Sequence, residues 1–263
     1  MMFRKLILSA ATLLALGAAP ALAAGAKGEI TDFAFAHEGP FGRYDRAQLQ
    51  RGLQVFREVC SSCHGLQYVA FRTLAQETGP ALHPDAVRAF AAEFEVQDPA
   101  TGDFRPAATT DHFPHSSLSN APDLSLMAKA RVGFSGPYGL GINQLLFGMG
   151  GAEYIASFLL GFNGEEELQA GVPYYFNTAS GTYKAMPNVL YDDGVEYADG
   201  TPATAEQQAQ DVAAFLMWAA EPHLTERKRA GLVGVILLTM LTVLLYLTNK
   251  RLWAPVKARA KQA

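Results

Sequence analysis

Cys60-Ser61-Ser62-Cys63-His64 is the stretch whose reading decides the fold. Two thiols three positions apart, followed at once by a histidine, have the spacing that fastens a haem to a polypeptide. On a tight turn each thiol adds to one vinyl group of the haem, and the adjacent imidazole faces the iron. Three other readings compete: a thiol redox pair, half of a zinc site and a structural disulfide. The chain holds 2 cysteines in all, so zinc lacks its second ligand pair. The βαβ pattern that surrounds a thioredoxin-like pair is missing as well. Covalent haem c, one per chain, is the expectation.

Upstream of the motif, Leu49, Leu53, Phe56 and Cys60 recur at i, i+4, i+7 and i+11, a helical stripe running into the haem turn. Gly52 shares that face. A glycine inside a helix costs stability and marks the close approach of another backbone, so a second helix is expected to cross there. The candidate partner begins at Thr204-Ala205-Glu206-Gln207, a capping-box pattern, continues through Val212, Phe215, Leu216 and Ala219, and stops before Pro222. Shorter helices are expected over 123–131 and 153–160. Residues 97–122 and 171–202 read as loops, and strand signal is weak throughout. The fold class is therefore mainly α, a cytochrome c-type haem domain with long loops plus one C-terminal transmembrane helix.

The N-terminus has the layout of a secretory signal: Arg4 and Lys5, an apolar run, then Ala21-Leu22-Ala23 as a small-residue cleavage site. Near the other end, residues 230–248 contain no charge. As a helix they span about 28 Å, close to the roughly 30 Å hydrocarbon core of a bilayer. The expected organisation is a signal peptide at 1–23, a periplasmic haem domain at 24–229, a transmembrane helix at 230–248 and a cytoplasmic basic tail at 249–263. Lys250, Arg251, Lys257, Arg259 and Lys261 in that tail place it on the cytoplasmic side. The expected location is the inner (cytoplasmic) membrane, crossed once. All 25 acidic residues fall in the exported part, against 14 basic ones there. A field of that sign favours a basic partner and excludes nucleic acid. Glu165, Glu166 and Glu167, with Glu93, Glu95 and Asp98, are candidate docking elements.

The other axial position decides between electron transfer and chemistry on a bound molecule. Met186, in Tyr183-Lys184-Ala185-Met186-Pro187-Asn188, lies in a Pro-flanked loop able to approach the face opposite His64. Met149 is the runner-up. Met127 and Met217 sit on helical patterns and read as packing residues, and His37, His83, His112, His115 and His223 read as solvated loop histidines.

These features together resemble the cytochrome c1 family, the haem subunit of the cytochrome bc1 complex. The likeness rests on Arg51-Gly52-Leu53-Gln54-Val55-Phe56 before the haem motif, on Pro122-Asp123-Leu124-Ser125 followed by Arg131, and on Ala185-Met186-Pro187. It extends through Asp199-Gly200-Thr201-Pro202 and Phe215-Leu216-Met217-Trp218-Ala219-Ala220-Glu221-Pro222 into Arg227-Lys228-Arg229 and a single terminal anchor. The resemblance implies thioether bonds from Cys60 and Cys63, axial ligation by His64 and Met186, an Arg131 partner for a haem propionate, and Tyr154 and Pro122 at the pocket wall. It also implies a cytochrome b subunit, a Rieske iron-sulfur protein as electron donor, a soluble or anchored c-type cytochrome as acceptor, contact with membrane lipid, and membership of a dimeric complex. An anchored c-type carrier or oxidase subunit outside that complex is the alternative. Residues 132–150 form a Gly-rich segment longer than the family's usual connection, and the stretch before Pro122 is shorter.

Overall fold

A computed structural model describes residues 28–98, 100–131 and 150–260. The expected signal peptide, Met149 and nearly all of the 132–150 segment lie outside these residues. Helix α1 (Arg46–Val55) starts at Asp45, whose carboxylate accepts the Gln48 amide at 2.7 Å. Its inner face carries Leu49, Gly52, Leu53 and Val55, all buried. It then widens into a π-turn (Phe56–Cys60), closed by the Ser61 amide on the Phe56 carbonyl at 2.8 Å. One extra residue per turn swings Cys60 around the helix axis, a distortion common at functional sites.

Helix α1 crosses the long helix that closes the haem domain, here α5 (Ala205–Ala220). The contact falls on Gly52, as its sequence position implied. A Cβ built there would lie 2.1 Å from the Asp211 carbonyl oxygen and 2.7 Å from Phe215 Cβ. Beside it the Arg51 guanidinium forks onto the buried Asp211 carboxylate, at 2.9 and 3.2 Å, and reaches Asp199 at 2.8 Å. Gln207 adds a third donor to Asp211, at 2.9 Å. Asp211 is thereby a buried charge with its lone pairs occupied, the condition under which such a group is tolerated. At the N-terminus of α5 the Thr204 hydroxyl accepts the Gln207 amide at 3.1 Å, as the capping pattern predicts.

Two further layers complete the domain. On one side Phe56, Phe71, Phe90, Phe94 and Phe113 form an aromatic cluster, with Phe71 and Phe113 centred 4.3 Å apart. It gathers α2 (Pro84–Ala91) and the hairpin of β1 (Glu95–Gln97) and β2 (Phe104–Pro106). On the other, α3 (Met127–Ala130) and α4 (Gly151–Leu160) pack on α5, and a three-stranded antiparallel sheet follows: β3 (Phe162–Gln169), β4 (Val172–Asn177) and β5 (Thr182–Lys184). The buried Asn177 amide donates to the Phe158 carbonyl at 2.6 Å and so fastens the sheet to the end of α4.

This sheet departs from the loop expected over 171–202. Glu165, Glu166 and Glu167 are poor strand formers and Pro173 interrupts the apolar run, yet the ladder pairs Glu166 with Tyr175 and Glu167 with Tyr174. Cross-strand aromatic packing supplies what local propensity lacks; Phe176 and Tyr183 are centred 5.3 Å apart. The helix expected over 123–131 shrinks to the single turn of α3.

The chain ends in α6 (Leu224–Ala260), 37 residues long and hence about 55 Å from end to end. Its apolar window has a mean hydropathy of 2.4 and is 0% buried against the rest of the chain, which separates it from a core helix of a soluble domain. Three contacts tie its first turns to the head. Lys228 Nζ donates to the carbonyls of His37 and Gly39, both at 2.6 Å, and Arg227 pairs with Glu221. The Tyr44 hydroxyl faces the carbonyls of Met217 and Glu221 at 3.2 and 3.1 Å. His37 is therefore no solvated loop histidine. It is 2% exposed, lies 5.2 Å from the rings of Phe35 and Tyr44, and its pKa is lowered to about 3, first by burial and then by Lys228.

Two measurements test this framework. Gly52→Val places two branches where the Asp211 backbone lies and is expected to cost about 3 kcal/mol, the upper range for overpacking, read as a lowered thermal midpoint. For His37, the unfolded chain takes up a proton near 6.5 and the folded chain only near 3. Stability therefore falls as the pH drops through that window. His37→Phe is expected to flatten this limb of the stability profile and leave the profile above pH 7 unchanged in shape.

Candidate functional site

The haem motif emerges from the π-turn onto a second segment that pins it. The Cys63 and His64 amides donate back to the Cys60 carbonyl at 3.1 and 2.9 Å, closing the turn. The Ser117 hydroxyl donates to the Ser62 carbonyl at 2.6 Å, its amide to the Cys63 carbonyl at 3.2 Å, and the Gly65 amide donates to Ser116 Oγ at 3.0 Å. Gly65 lets the two strands of chain come this close, because a Cβ there would lie 2.3 Å from the Pro114 carbonyl oxygen.

The loop around Pro122 fixes the histidine. His64 Nδ1 lies 2.7 Å from the Pro122 carbonyl oxygen, which can only accept, so Nδ1 carries a proton, and in the neutral ring Nε2 keeps its lone pair. A neutral imidazole held in this tautomer is what a metal-ligating histidine requires. Asp123 holds the Pro122 loop in place by accepting the Gln67 and Ser125 amides, both at 2.9 Å, while buried Ser125 accepts the Tyr68 amide at 3.1 Å. Burial, and then the neighbouring Cys63, push the Cys60 thiol up to about 12. A thiol so disposed is not a reactive thiolate, which argues against a thiol redox pair.

The seven residues that the resemblance assigns to the haem come to one place. Cys60, Cys63, His64, Pro122, Arg131, Tyr154 and Met186 all line a single cleft of about 420 Å³, within the range usual for cofactor sites. Its walls are apolar: Val59 and Leu124 near the motif, Ile155, Phe158 and Leu159 from α4, and Val212 and Leu216 from α5. The Arg131 guanidinium lies 5.2 Å over the Tyr154 ring, a cation–π arrangement that steadies it at the end of α3. Among the described residues the lining contains no carboxylate, and its charged groups are Arg131 and Lys184. An apolar slot with two cations, two thiols and an imidazole with a free nitrogen fits a flat, apolar macrocycle that carries carboxylates.

Sequence reasoning missed Lys184, although it stands two residues before Met186 at the end of β5. It also read Met127 as packing only, whereas Met127 shares the cleft with Met186. Met217 is 1% exposed and is part of the core. His83, His112, His115 and His223 are exposed and, like His37, do not line the cleft. Of the acidic candidates, Glu93 pairs with Arg57 at 2.8 Å and Asp98 with Arg105 at 3.3 Å. Glu165, Glu166 and Glu167 stand exposed on β3.

A c-type haem domain mounted on one long apolar helix is the class that this cleft and this fold define. Comparison with known proteins narrows it. The Cytochrome C1 family model matches residues 35–256. A cytochrome c1 of Cereibacter sphaeroides is 52% identical, with 99% of each chain covered. The mitochondrial cytochrome c1 haem protein of Saccharomyces cerevisiae is 39% identical over 86% of this chain and 73% of its own length. A mitochondrial protein of Candida albicans named as the cytochrome b-c1 complex catalytic subunit is 36% identical over 85% of this chain and 77% of its own length. The chain belongs to the cytochrome c1 family. It is a membrane-anchored, electron-transferring protein with covalently bound haem c.

Asp123→Ala removes the acceptor of two amides and frees the loop that presents the Pro122 carbonyl. The expected loss is about 2 kcal/mol for the two backbone donors left unmatched. Faster hydrogen exchange at Gln67 and Ser125 than at the α1 amides is the local readout.

Proposed function

We propose that this chain is the haem subunit of a quinol:cytochrome c reductase of the bc1 type, accepting an electron from a Rieske iron-sulfur protein and passing it to a mobile c-type cytochrome. The observation that carries this reading is the convergence of all seven candidate residues on one carboxylate-free cleft, in a domain whose closing helix leads directly to an apolar anchor. Cys60 and Cys63 would hold the cofactor by thioether bonds. His64, through Nε2, and Met186 would ligate its iron. Arg131, steadied by Tyr154, meets a propionate, a task suited to a planar guanidinium fork. Tyr154 and Pro122 wall the cleft, and the Pro122 carbonyl orients His64. The bound haem c supplies a reversible one-electron iron couple; the polypeptide supplies ligation, an apolar surround and a docking surface.

The partners in this reading are cytochrome b, the Rieske protein and the acceptor cytochrome, within a dimeric complex. The name of the Candida relative and the long apolar helix α6 support it. The haem domain lies in the periplasm and the tail with Lys250, Arg251, Lys257 and Arg259 in the cytoplasm, the side favoured by basic flanks. Residues 1–23 direct the export. Glu165, Glu166 and Glu167 contribute to the acidic face that steers a basic acceptor, so the association rate falls as salt screens it.

Met186 and Met127 share the cleft, so a matched pair of variants discriminates between them. Met186→Leu is expected to abolish the thioether-to-iron absorption band and lower the midpoint potential by on the order of 0.2 V, within the roughly 0.8 V that axial ligands span. Met127→Leu is expected to leave both unchanged, and the reverse pattern would transfer the ligand role to Met127. Mild-detergent purification through a C-terminal tag tests the assembly. Co-purifying b-type haem, a Rieske cluster and quinol:cytochrome c reductase activity are expected; this chain alone, from membranes in which such complexes are intact, would make it a free-standing anchored carrier.

A further inference from the structure

A second cleft, of about 900 Å³, opens where α6 leaves the haem domain and shares no lining residue with the haem cleft. Its walls are the loop before α1 and the first turn of that helix, the turn at Glu77, Thr78 and Gly79, and the first turns of α6 from Thr225 to Leu232. Four cations line it: Arg43, Arg46, Lys228 and Arg229. Lys228 is committed to the His37 and Gly39 carbonyls. Arg43, Arg46 and Arg229 are exposed and form no ion pair or side-chain hydrogen bond among the described residues. The acidic residues in the lining are Glu77 and Glu226, and Glu226 faces His223 Nδ1 at 2.8 Å. The balance is positive, in a domain whose overall charge is strongly negative.

We propose that this cleft binds the headgroup of an anionic phospholipid on the periplasmic face of the bilayer. The inference rests on the anchor reading above, since it needs α6 to enter the membrane where the cleft ends. Three unmatched guanidinium groups suit a phosphodiester, which each can bind through paired N–H donors. The floor of the cleft selects a lipid over a free phosphate. Leu232 lines it and begins the apolar surface of α6, exposed through Leu247, so a headgroup held by the arginines has its acyl chains laid along that helix. Phe41, 73% exposed, adds a second apolar side chain to the lining. Arg43 and Arg46 come from the haem domain and Arg229 from the anchor, so one headgroup would bridge the two. Juxtamembrane cations attract anionic lipid with about 1 kcal/mol each.

The test uses the assembled complex in nanodiscs of phosphatidylcholine with phosphatidylglycerol as the only anionic lipid, a fraction of it carrying a photoactivatable acyl chain. Illumination is expected to attach the probe near Leu232. Arg43→Ala alone should weaken this labelling about fivefold, and the Arg43→Ala/Arg46→Ala/Arg229→Ala variant should abolish it, with haem content unchanged. Lys250→Ala/Arg251→Ala, at the opposite end of α6, should leave it intact. Undiminished labelling in the triple variant overturns the proposal. So does displacement by inorganic phosphate, which would mark a free-anion site, or capture of a neighbouring subunit in place of lipid by a photo-crosslinker at position 43. Alkaline extraction of wild-type membranes separates the two readings: a chain that washes out refutes the anchor itself, whereas a retained but unlabelled chain refutes only the lipid site.

Discussion

The crossing of α1 and α5 is the constraint on which the rest of the structure depends. It is a backbone-to-backbone contact made possible by Gly52, closed beside it by the Arg51–Asp211 pair. From that point α1 runs toward the haem turn and α5 toward the anchor, so the two ends of the functional molecule are fixed relative to one another at a single joint. The buried charge makes the joint specific as well as tight. Gln207 meets Asp211 from within α5, whereas Arg51 comes from α1, so a slip of one helix along the other would leave the buried carboxylate without its charged partner.

The cleft follows from that joint together with the Pro122 loop. Helix α5 contributes Val212 and Leu216 to its wall, each next in sequence to the Asp211 and Phe215 that meet α1, while α3 and α4 bring Arg131 and Tyr154 to the cleft. None of the pocket's polar chemistry is spread over its walls. The imidazole is aligned by a carbonyl from 58 residues away in sequence, and the cations sit at the ends of α3 and β5. An apolar interior with charge confined to the edge lets a macrocycle bury its flat faces and keep its propionates at the boundary. The low-dielectric surround also raises the cost of any change in net charge at the metal, one of the ways a protein sets a haem potential.

Much of this was legible in the sequence where a residue type has one dominant physical use. Gly52 inside a helical stripe announced a crossing, Thr204 announced a cap, and the haem motif announced the cleft. What the sequence hid were features made by tertiary contact. The β3–β5 sheet has three consecutive glutamates on one strand and a proline on the next, and one aromatic pair, Phe176 with Tyr183, packs across β4 and β5. Helix α2 is only eight residues long, and its cue, Pro84 at the first position with Asp85 beside it, was overshadowed by the longer apolar patterns. His37 looked solvated because Glu38-Gly39-Pro40 follows it; the apolar residues before it, Tyr44 and the first turns of α6 close over it in space.

The sheet gives the site a route to the surface. Strand β5 ends at Lys184, which lines the cleft two residues before Met186, while β3 carries Glu165, Glu166 and Glu167 on the outside of the same sheet, two strands away. Glu166 pairs in register with Tyr175, and Tyr175 pairs in turn with Lys184. Two hydrogen-bonded ladders thus join the acidic edge to the segment that carries Met186. On the opposite side of the domain Glu93 and Asp98 are engaged with Arg57 and Arg105, and Glu95 stands exposed on β1. Three adjacent exposed carboxylates and a hydrogen-bonded path to the cleft coincide on the β3–β5 sheet.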